Sequence, residues 1–473
     1  MEANHRVQPA PQGTIVILVA CVIGYIFSLQ EAASSTMARM VSIALLAGIA
    51  ISLGLDLRMG LKNLIRVDAF ALLSFYFLTF FEFLFPQTRF DLLVNHEDVV
   101  VSVQLFLFGL AVIALSRHMN FFPQNTLDHI GVIEMRPRDF LLIFFGAAVL
   151  NFLPMMIAVG FNPVTWFEET LKPRFYRAWG RGQYGDLSAL LHELQLLGYV
   201  LPPVAGVIFA RCRQYSRFTV FLVGLIILVQ LYSAFSSGTR NVMGIQLAGL
   251  LAGYFVVHRT LSIKLVLPVV AVTGGLFLVL AGMMLDFRNM GLKTYIKEGY
   301  YTAEYKAFEE EYLRQEEADS GYFVDYNLWR MSQIVGVFPD LYDYIGWNMP
   351  FVAITKPIPR ALWPGKPMDL KVGLEEAIGA EGYTVAVTWV GEAYVAGGIP
   401  WIIGVGVLIG AFCCYWNGLA NYVHHTFPLI VFASGFYAVL LLMRSLMFFT
   451  TALLPSIALI AVGVFIYNHR TID

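Results

Sequence analysis

The sequence predicts an all-α, polytopic membrane protein of about twelve transmembrane helices. Three observations carry that expectation. Apolar residues make up 58% of the 473-residue chain and charged residues only 14%, where an ordinary soluble domain is about 25% charged. The mean hydropathy is +0.67. Apolar runs long enough to cross a bilayer recur from one end of the chain to the other. The formal net charge of -2 excludes a basic nucleic-acid binder, and the apolar content excludes a disordered chain or a soluble enzyme.

The runs fall at about 14–30, 38–56, 67–85, 99–116, 139–160, 190–210, 218–236, 241–258, 264–285, 398–417, 427–446 and 450–467. Within hydrocarbon every backbone polar group must be bonded inside its own segment, so runs this long and this poor in charge read as helices. The run at 190–210 departs most from the pattern, with His192 and Glu193 in its first turns and Pro202–Pro203 inside it. The leading MEANHRVQPAPQG has no small-residue cleavage signal, so the first run is expected to be a retained span. Cys21, Cys413 and Cys414 fall in apolar runs and Cys212 in a basic link, which argues against a disulfide framework.

Twelve spans place both termini on one side. On that side fall Arg6, then Arg58, Lys62 and Arg66, then Arg117, Arg136 and Arg138, then Arg211, Arg213 and Arg217, then Arg259, Lys264 and Arg470. By the positive-inside rule this is the cytoplasm. The chain then divides into spans 1–9 over 1–285, a large external segment over 286–397 and spans 10–12 over 398–473. A structureless loop as long as 286–397 would be unusual. Within it TYIKEGYYTAEYKAFEEEYLRQEEA reads as a charged amphipathic helix, DYNLWRMSQIVGVF as a second helix with an apolar face, and KPIPRALWPGKP as a rigid, proline-rich turn.

Basic residues on the outer side run against the usual bias. Arg240 lies in the short outer link between spans 7 and 8, and Arg444 at the outer end of span 11. A cation in such a setting needs an anion, a structural ion pair or headgroup water. Lys356, Arg360 and Lys366 share the proline-rich turn, and Lys172, Arg174, Arg177 and Arg181 share the outer link 161–189. The planar fork of Arg and the compact charge of Lys suit pyrophosphate, although headgroup binding or solvated charge explains them as well. Glu392, just before span 10, either orients an arginine, accepts a proton from a hydroxyl, or is a helix-start carboxylate favoured by the dipole. His192 is a candidate base or a capping residue. Glu82, in the outer half of span 3, either pairs with an arginine of the bundle or sits in headgroup water. Tyr394 is a further candidate beside Glu392. No His, Cys, Asp and Glu spacing suggests a metal, and no nucleotide-binding motif is present, so any chemistry is driven by its substrates.

Four features carry a resemblance. SSGTR at 236–240, IPRALWPGKP at 358–367, TWVGEAYVAGG at 388–398 and the long outer segment between late spans resemble the Wzy-type O-antigen, or oligosaccharide repeat unit, polymerases. The many-span pattern covers nearly the whole chain and the motifs only a small part of it. The resemblance implies a fold similar to that of the GT-C lipid-linked-sugar glycosyltransferases and the O-antigen ligases. It implies residence in the bacterial cytoplasmic membrane with an active site on its outer face, and no cofactor. The substrates it implies are two undecaprenyl-pyrophosphate-linked glycans, the growing chain passing en bloc to the non-reducing end of the next unit. Arg240, Arg360 and Arg444 would bind the leaving pyrophosphate, with Glu392 as the site acid; Lys356, Lys366, Arg174, Arg177 and Arg181 are further candidates by their charge and placement alone. On the residues themselves, Tyr342, Tyr344, Trp347, Trp363 and Trp389 are candidates to line a saccharide path, although each alone reads equally as an interfacial anchor or packing residue. Membrane lipids, a chain-length regulator and a flippase of the same pathway would be partners; nucleic acid would not. The late outer segment 286–397 contains no histidine, which departs from the ligases and disfavours a histidine base. A lipid-linked oligosaccharide flippase and an O-antigen ligase acting on lipid A core remain rival readings.

Overall fold

The computed structural model describes residues 7–87, 89–172, 174–179, 194–258, 261–287, 291–298, 327–358, 363, 365–366 and 387–470, and among them the only regular elements are helices. We number the principal ones α1 Pro11–Ser28, α2 Ser34–Leu57, α3 Val67–Thr79, α4 His96–Ser116, α5 Pro137–Ala158, α6 Leu201–Ala210, α7 Arg217–Ser236, α8 Arg240–Val256, α9 Ile263–Phe287, α10 Asn327–Val335, α11 Asn348–Thr355, α12 Thr388–Asn417, α13 Thr426–Arg444 and α14 Phe449–Arg470. Nine of these among the described residues, α1, α2, α4, α5, α7, α9, α12, α13 and α14, are long and apolar enough to cross a membrane. The other three expected spans are shorter. Helix α3 gives way to a 3-10 turn, Phe81–Leu84; the 3-10 turn Leu196–Val200 leads into α6, whose first turn holds Pro202 and Pro203; and α8 has 17 residues. Proline at the first turn of a helix forfeits no intrahelical hydrogen bond, which is why the pair starts α6 and does not break it.

Local chemistry sets several helix starts. Asn95 caps α4 by accepting from the Glu97 N–H at 3.1 Å, Ser216 caps α7 from Thr219 at 3.0 Å, and the Asp139 carboxylate accepts the Arg136 N–H at 2.7 Å ahead of α5. Helix α13 is buried along almost its whole length and forms the centre of the bundle. Helices α6 and α8 touch backbone to backbone. A Cβ on Gly206 would lie 2.3 Å from the Leu250 carbonyl oxygen, and one on Gly253 2.2 Å from that of Pro203. Small residues at such crossings let helices pack in lipid, where no hydrophobic force drives association.

The helix ends sort into two sets. Val7 donates its N–H to Asn421 Oδ1 at 2.8 Å, and Gly463 of α14 abuts Phe427 at the start of α13. The described N-terminal residues, the far side of α12 and the last turns of α14 therefore share one end, the terminal end. Here Arg66 is fully buried between Asp56 at 2.7 Å and Asp68 at 2.9 Å, and Arg117 lies 3.6 Å from Asp68. Asn417 ties in α12, donating to Asp68 at 2.6 Å and accepting from the Val67 N–H at 2.9 Å. Thr14 accepts from Arg117 Nε at 3.0 Å and Nη2 at 2.7 Å and meets His118 Nε2 at 2.7 Å. Five helices are joined by one polar cluster. The sequence reads Arg66 and Arg117 only as orientation-setting charges; the structure buries both, each against a carboxylate.

Helix α12 is two pieces. Gly397 and Gly398 leave helical geometry, with φ 175° and 69°. An ideal Cβ on Gly406 would sit 3.1 Å from the Trp389 indole. In a straight helix those residues would be roughly 25 Å apart at 1.5 Å per residue, far beyond the reach of a side chain. The half-helix 388–396 therefore folds back along 399–417 as a hairpin. The same indole lies 3.1 Å from a Cβ built on Gly109, well inside α4, and 5.9 Å from the Phe75 ring. Hydropathy counts 388–397 with the outer segment; the structure packs 388–396 within the bundle, its first residues deepest.

Candidate functional site

The candidate site lies at the end opposite the terminal cluster. It is built from two neighbouring groups of side chains. The first surrounds the SSGTR link between α7 and α8. Arg177, buried, donates Nη2 to the Thr170 carbonyl at 2.8 Å and to the Ser236 carbonyl, and Nε to the Lys172 carbonyl at 3.2 Å. Burial pushes its guanidinium down to about 10, against the pull of Tyr232 and Glu169. Arg174 donates to the Thr239 hydroxyl at 3.0 Å. Glu169 accepts from Lys172 at 2.5 Å and from the Ala178 N–H at 2.9 Å. Residues 169–178 are thus latched onto 236–240, and Arg240 opens α8 beside them.

The second group surrounds the link between α13 and α14. Ser445 is extended, φ -161° and ψ 122°, and ends α13 directly after Arg444. Glu392, 7% exposed, accepts from the Ser445 hydroxyl at 2.6 Å and from the Met447 N–H at 3.0 Å. Lys356 Nζ lies 3.9 Å over the Phe448 ring, a cation–π contact. Lys366 folds back to donate to the carbonyls of Lys356 at 2.9 Å and Ile358 at 3.0 Å. Thr450 donates to the Ala353 carbonyl, which ties α11 to α14.

The two groups meet along α8 and α13. Ile245 packs with Tyr437, Ala438 and Ala452. Tyr199 stacks on Tyr437, centroids 3.8 Å apart at 10°, and Arg174 lies within electrostatic reach of Tyr199. Arg240 is the first residue of α8 and Arg444 the last of α13. Each stands roughly 7–10 Å beyond that shared contact at 1.5 Å per residue, so the two reach one level on adjacent antiparallel helices.

The remaining sequence candidates fall as follows. Tyr394 donates to the Phe338 carbonyl at 3.2 Å and meets Tyr344 edge-on at 5.9 Å, which pins the chain after α10 to the half-helix. Glu82 is buried in the 3-10 turn after α3, packed against α2. Trp389 is buried in the bundle, whereas Trp347 is 81% exposed and meets Trp401 edge-on. Arg181, His192 and Arg360 lie outside the described residues, as do 299–326 and 367–386. Ser445 and the Met447 N–H are partners that sequence reasoning does not find; the polar serine directly after Arg444 is the only hint. No group of three or more His, Cys, Asp or Glu suited to a metal occurs among the described residues.

Helices long and apolar enough to cross a membrane, packed through small residues and with cations gathered at their ends, define a polytopic, all-α membrane protein. No family model, no curated protein and no solved structure matches the chain.

Proposed function

We propose that this protein is a glycosyltransferase that polymerises undecaprenyl-pyrophosphate-linked oligosaccharide units on the outer face of a bacterial cytoplasmic membrane. One observation carries the reading. Arg174, Arg240, Arg444, Lys356 and Lys366 collect at one end of an apolar bundle, where hydroxyls, carbonyls and an aromatic ring are among the groups that hold them. Several cations gathered at one end of an apolar bundle raise the local positive potential, which draws an anion such as a pyrophosphate. In the reaction the acceptor hydroxyl oxygen forms a bond to the anomeric carbon as the bond from that carbon to the pyrophosphate breaks. The leaving group takes the electron pair, and the hydroxyl proton passes to it or to water. Arg240 and Arg444 stabilise the growing negative charge. The lipid tails would lie between helices, and the resemblance of SSGTR, IPRALWPGKP and TWVGEAYVAGG supports the choice of substrate.

The broken helix α12 favours a second reading, since discontinuous helices recur in transporters. Purified protein in liposomes with one undecaprenyl-pyrophosphate repeat unit separates the two. Polymerisation gives a ladder of longer lipid-linked glycans. A flippase moves the unit across the bilayer and gives no ladder, and a ligase gives product only when lipid A core is added. No ladder from folded protein would refute the polymerase reading.

A further inference from the structure

Both carboxylate oxygens of Glu392 are already engaged. Oε1 accepts from Ser445 and Oε2 from the Met447 N–H, and the side chain is buried. A general base needs a lone pair aimed at its proton donor; here the carboxylate faces the link that follows Arg444. The element carrying Glu392 is itself fixed. Trp389 anchors its deep end between Gly109 and Gly406. At its other end the Val395 and Ala396 carbonyls, freed by the break at Gly397–Gly398, accept the N–H groups of Ile345 at 3.1 Å and Gly346 at 2.8 Å. Thr388, at its start, holds φ 63°, a conformation a β-branched residue keeps only where its surroundings enforce it.

We propose that Glu392 is a positioning residue. The re-entrant half-helix 388–396 uses it as a clamp on 445–448, and the clamp sets where Arg444 and the Lys356 seated on Phe448 face an anionic leaving group. The assignment of that leaving group rests on the glycan-transfer reading above; the clamp itself does not. Gln can keep the clamp, because its carbonyl accepts the Met447 N–H and its amide donates to the Ser445 oxygen. Ala leaves both buried donors without acceptors.

Two readouts test this. The first is turnover and its pH profile for Glu392→Gln, Glu392→Ala and Ser445→Ala. The second is the rate of disulfide formation between Ala353→Cys and Thr450→Cys, with the four native cysteines replaced, which reports the seating of the link. Glu392→Gln is expected to turn over within about threefold of the parent, with the same pH profile and cross-linking rate. Glu392→Ala is expected to lose about tenfold or more in kcat with little change in KM and an altered cross-linking rate, and Ser445→Ala about threefold. Glu392→Gln as inactive as Glu392→Ala, with parental cross-linking in both, would make Glu392 a base and overturn the clamp. If the parent makes no ladder, the transfer reading fails, and cross-linking alone decides: a parental rate in Glu392→Ala refutes the clamp. If Glu392→Ala does not fold, the Gln and Ser445→Ala variants carry the same decision.

Discussion

The two ends of the bundle handle charge in opposite ways. At the terminal end, Arg66 and Arg117 face Asp56 and Asp68, all four buried, so the charges cancel in place. At the other end carbonyls accept from Arg177 and Lys366, a hydroxyl accepts from Arg174, a ring lies under Lys356, and Lys172 forms an ion pair with Glu169 in the link itself. A paired cluster has no unsatisfied field for a ligand to answer, and removing one member strands its partner in the interior. Several cations gathered at one end raise the local potential and draw an anion. The first arrangement reads as a device for registering helices and the second as one for binding.

Breaking each end therefore has different consequences. The largest effect is expected from Asp68→Ala, which takes the carboxylate from Arg117 and leaves Arg66 with Asp56 alone: a loss of about 3–5 kcal/mol in detergent unfolding, with turnover per folded molecule little changed. Next come Arg240→Ala and Arg444→Ala, expected to unfold close to the parent but to lower ladder formation about a hundredfold each, the magnitude of one lost charge-stabilising donor. If either lowers stability and activity in proportion, the contrast between the ends fails. Gly398→Ala is expected to cost about 1–3 kcal/mol, because its φ is 69° and the new Cβ would lie 3.0 Å from the Tyr344 hydroxyl. It sharpens the comparison if the deficit shows as faster hydrogen exchange around 344–346 and not around Arg66.

The smallest effect is a pH dependence at the terminal end. Thr14 accepts from Arg117 and so has its hydroxyl proton for His118 Nε2, which must then be unprotonated. Burial, reinforced by Arg117, holds His118 below the usual histidine range. Its folded pKa is depressed, so the unfolded chain binds more protons in the window just below that range. The contribution is present above the unfolded value and is lost as pH falls through the folded one. The stability difference between the parent and His118→Ala should shrink on acidification, measured as unfolding midpoints across that window.

Much of the helix plan was legible, because long apolar runs leave the backbone no alternative in lipid. Helix direction was not. The pair Gly397–Gly398 reads from sequence as a place of close approach, and hydropathy scores 388–396 the same whether it continues a span or doubles back. What decides is the fit of Trp389 between Gly109 and Gly406, a contact between distant residues. Short α3 was overestimated because its apolar run continues through Phe81–Leu84, where the chain turns. Of the candidate site, Arg240, Arg444, Glu392 and Lys356 stood out as charges at odds with their apolar surroundings. Their connection through Ser445 and Tyr437 did not, since a serine and a tyrosine in a span carry no signal of their own. The burial of Arg66 and Arg117 was equally hidden: Asp56 and Asp68 stand near Arg66 in sequence, but Arg117 reaches Asp68 only through the fold.

The central claim is that the cationic end, and not the paired end, receives a lipid-linked pyrophosphate. A polyprenyl pyrophosphate bearing a photoactivatable group beside the phosphates, incubated with the protein in liposomes and mapped by peptide mass, tests it most directly. Labelling is expected at 236–240, 353–358 and 444–448, reduced in Arg240→Ala and Arg444→Ala and competed by unlabelled lipid pyrophosphate. Labelling centred on Arg66, Arg117 and Asn417, or spread evenly along the lipid-facing helices regardless of those substitutions, would contradict it.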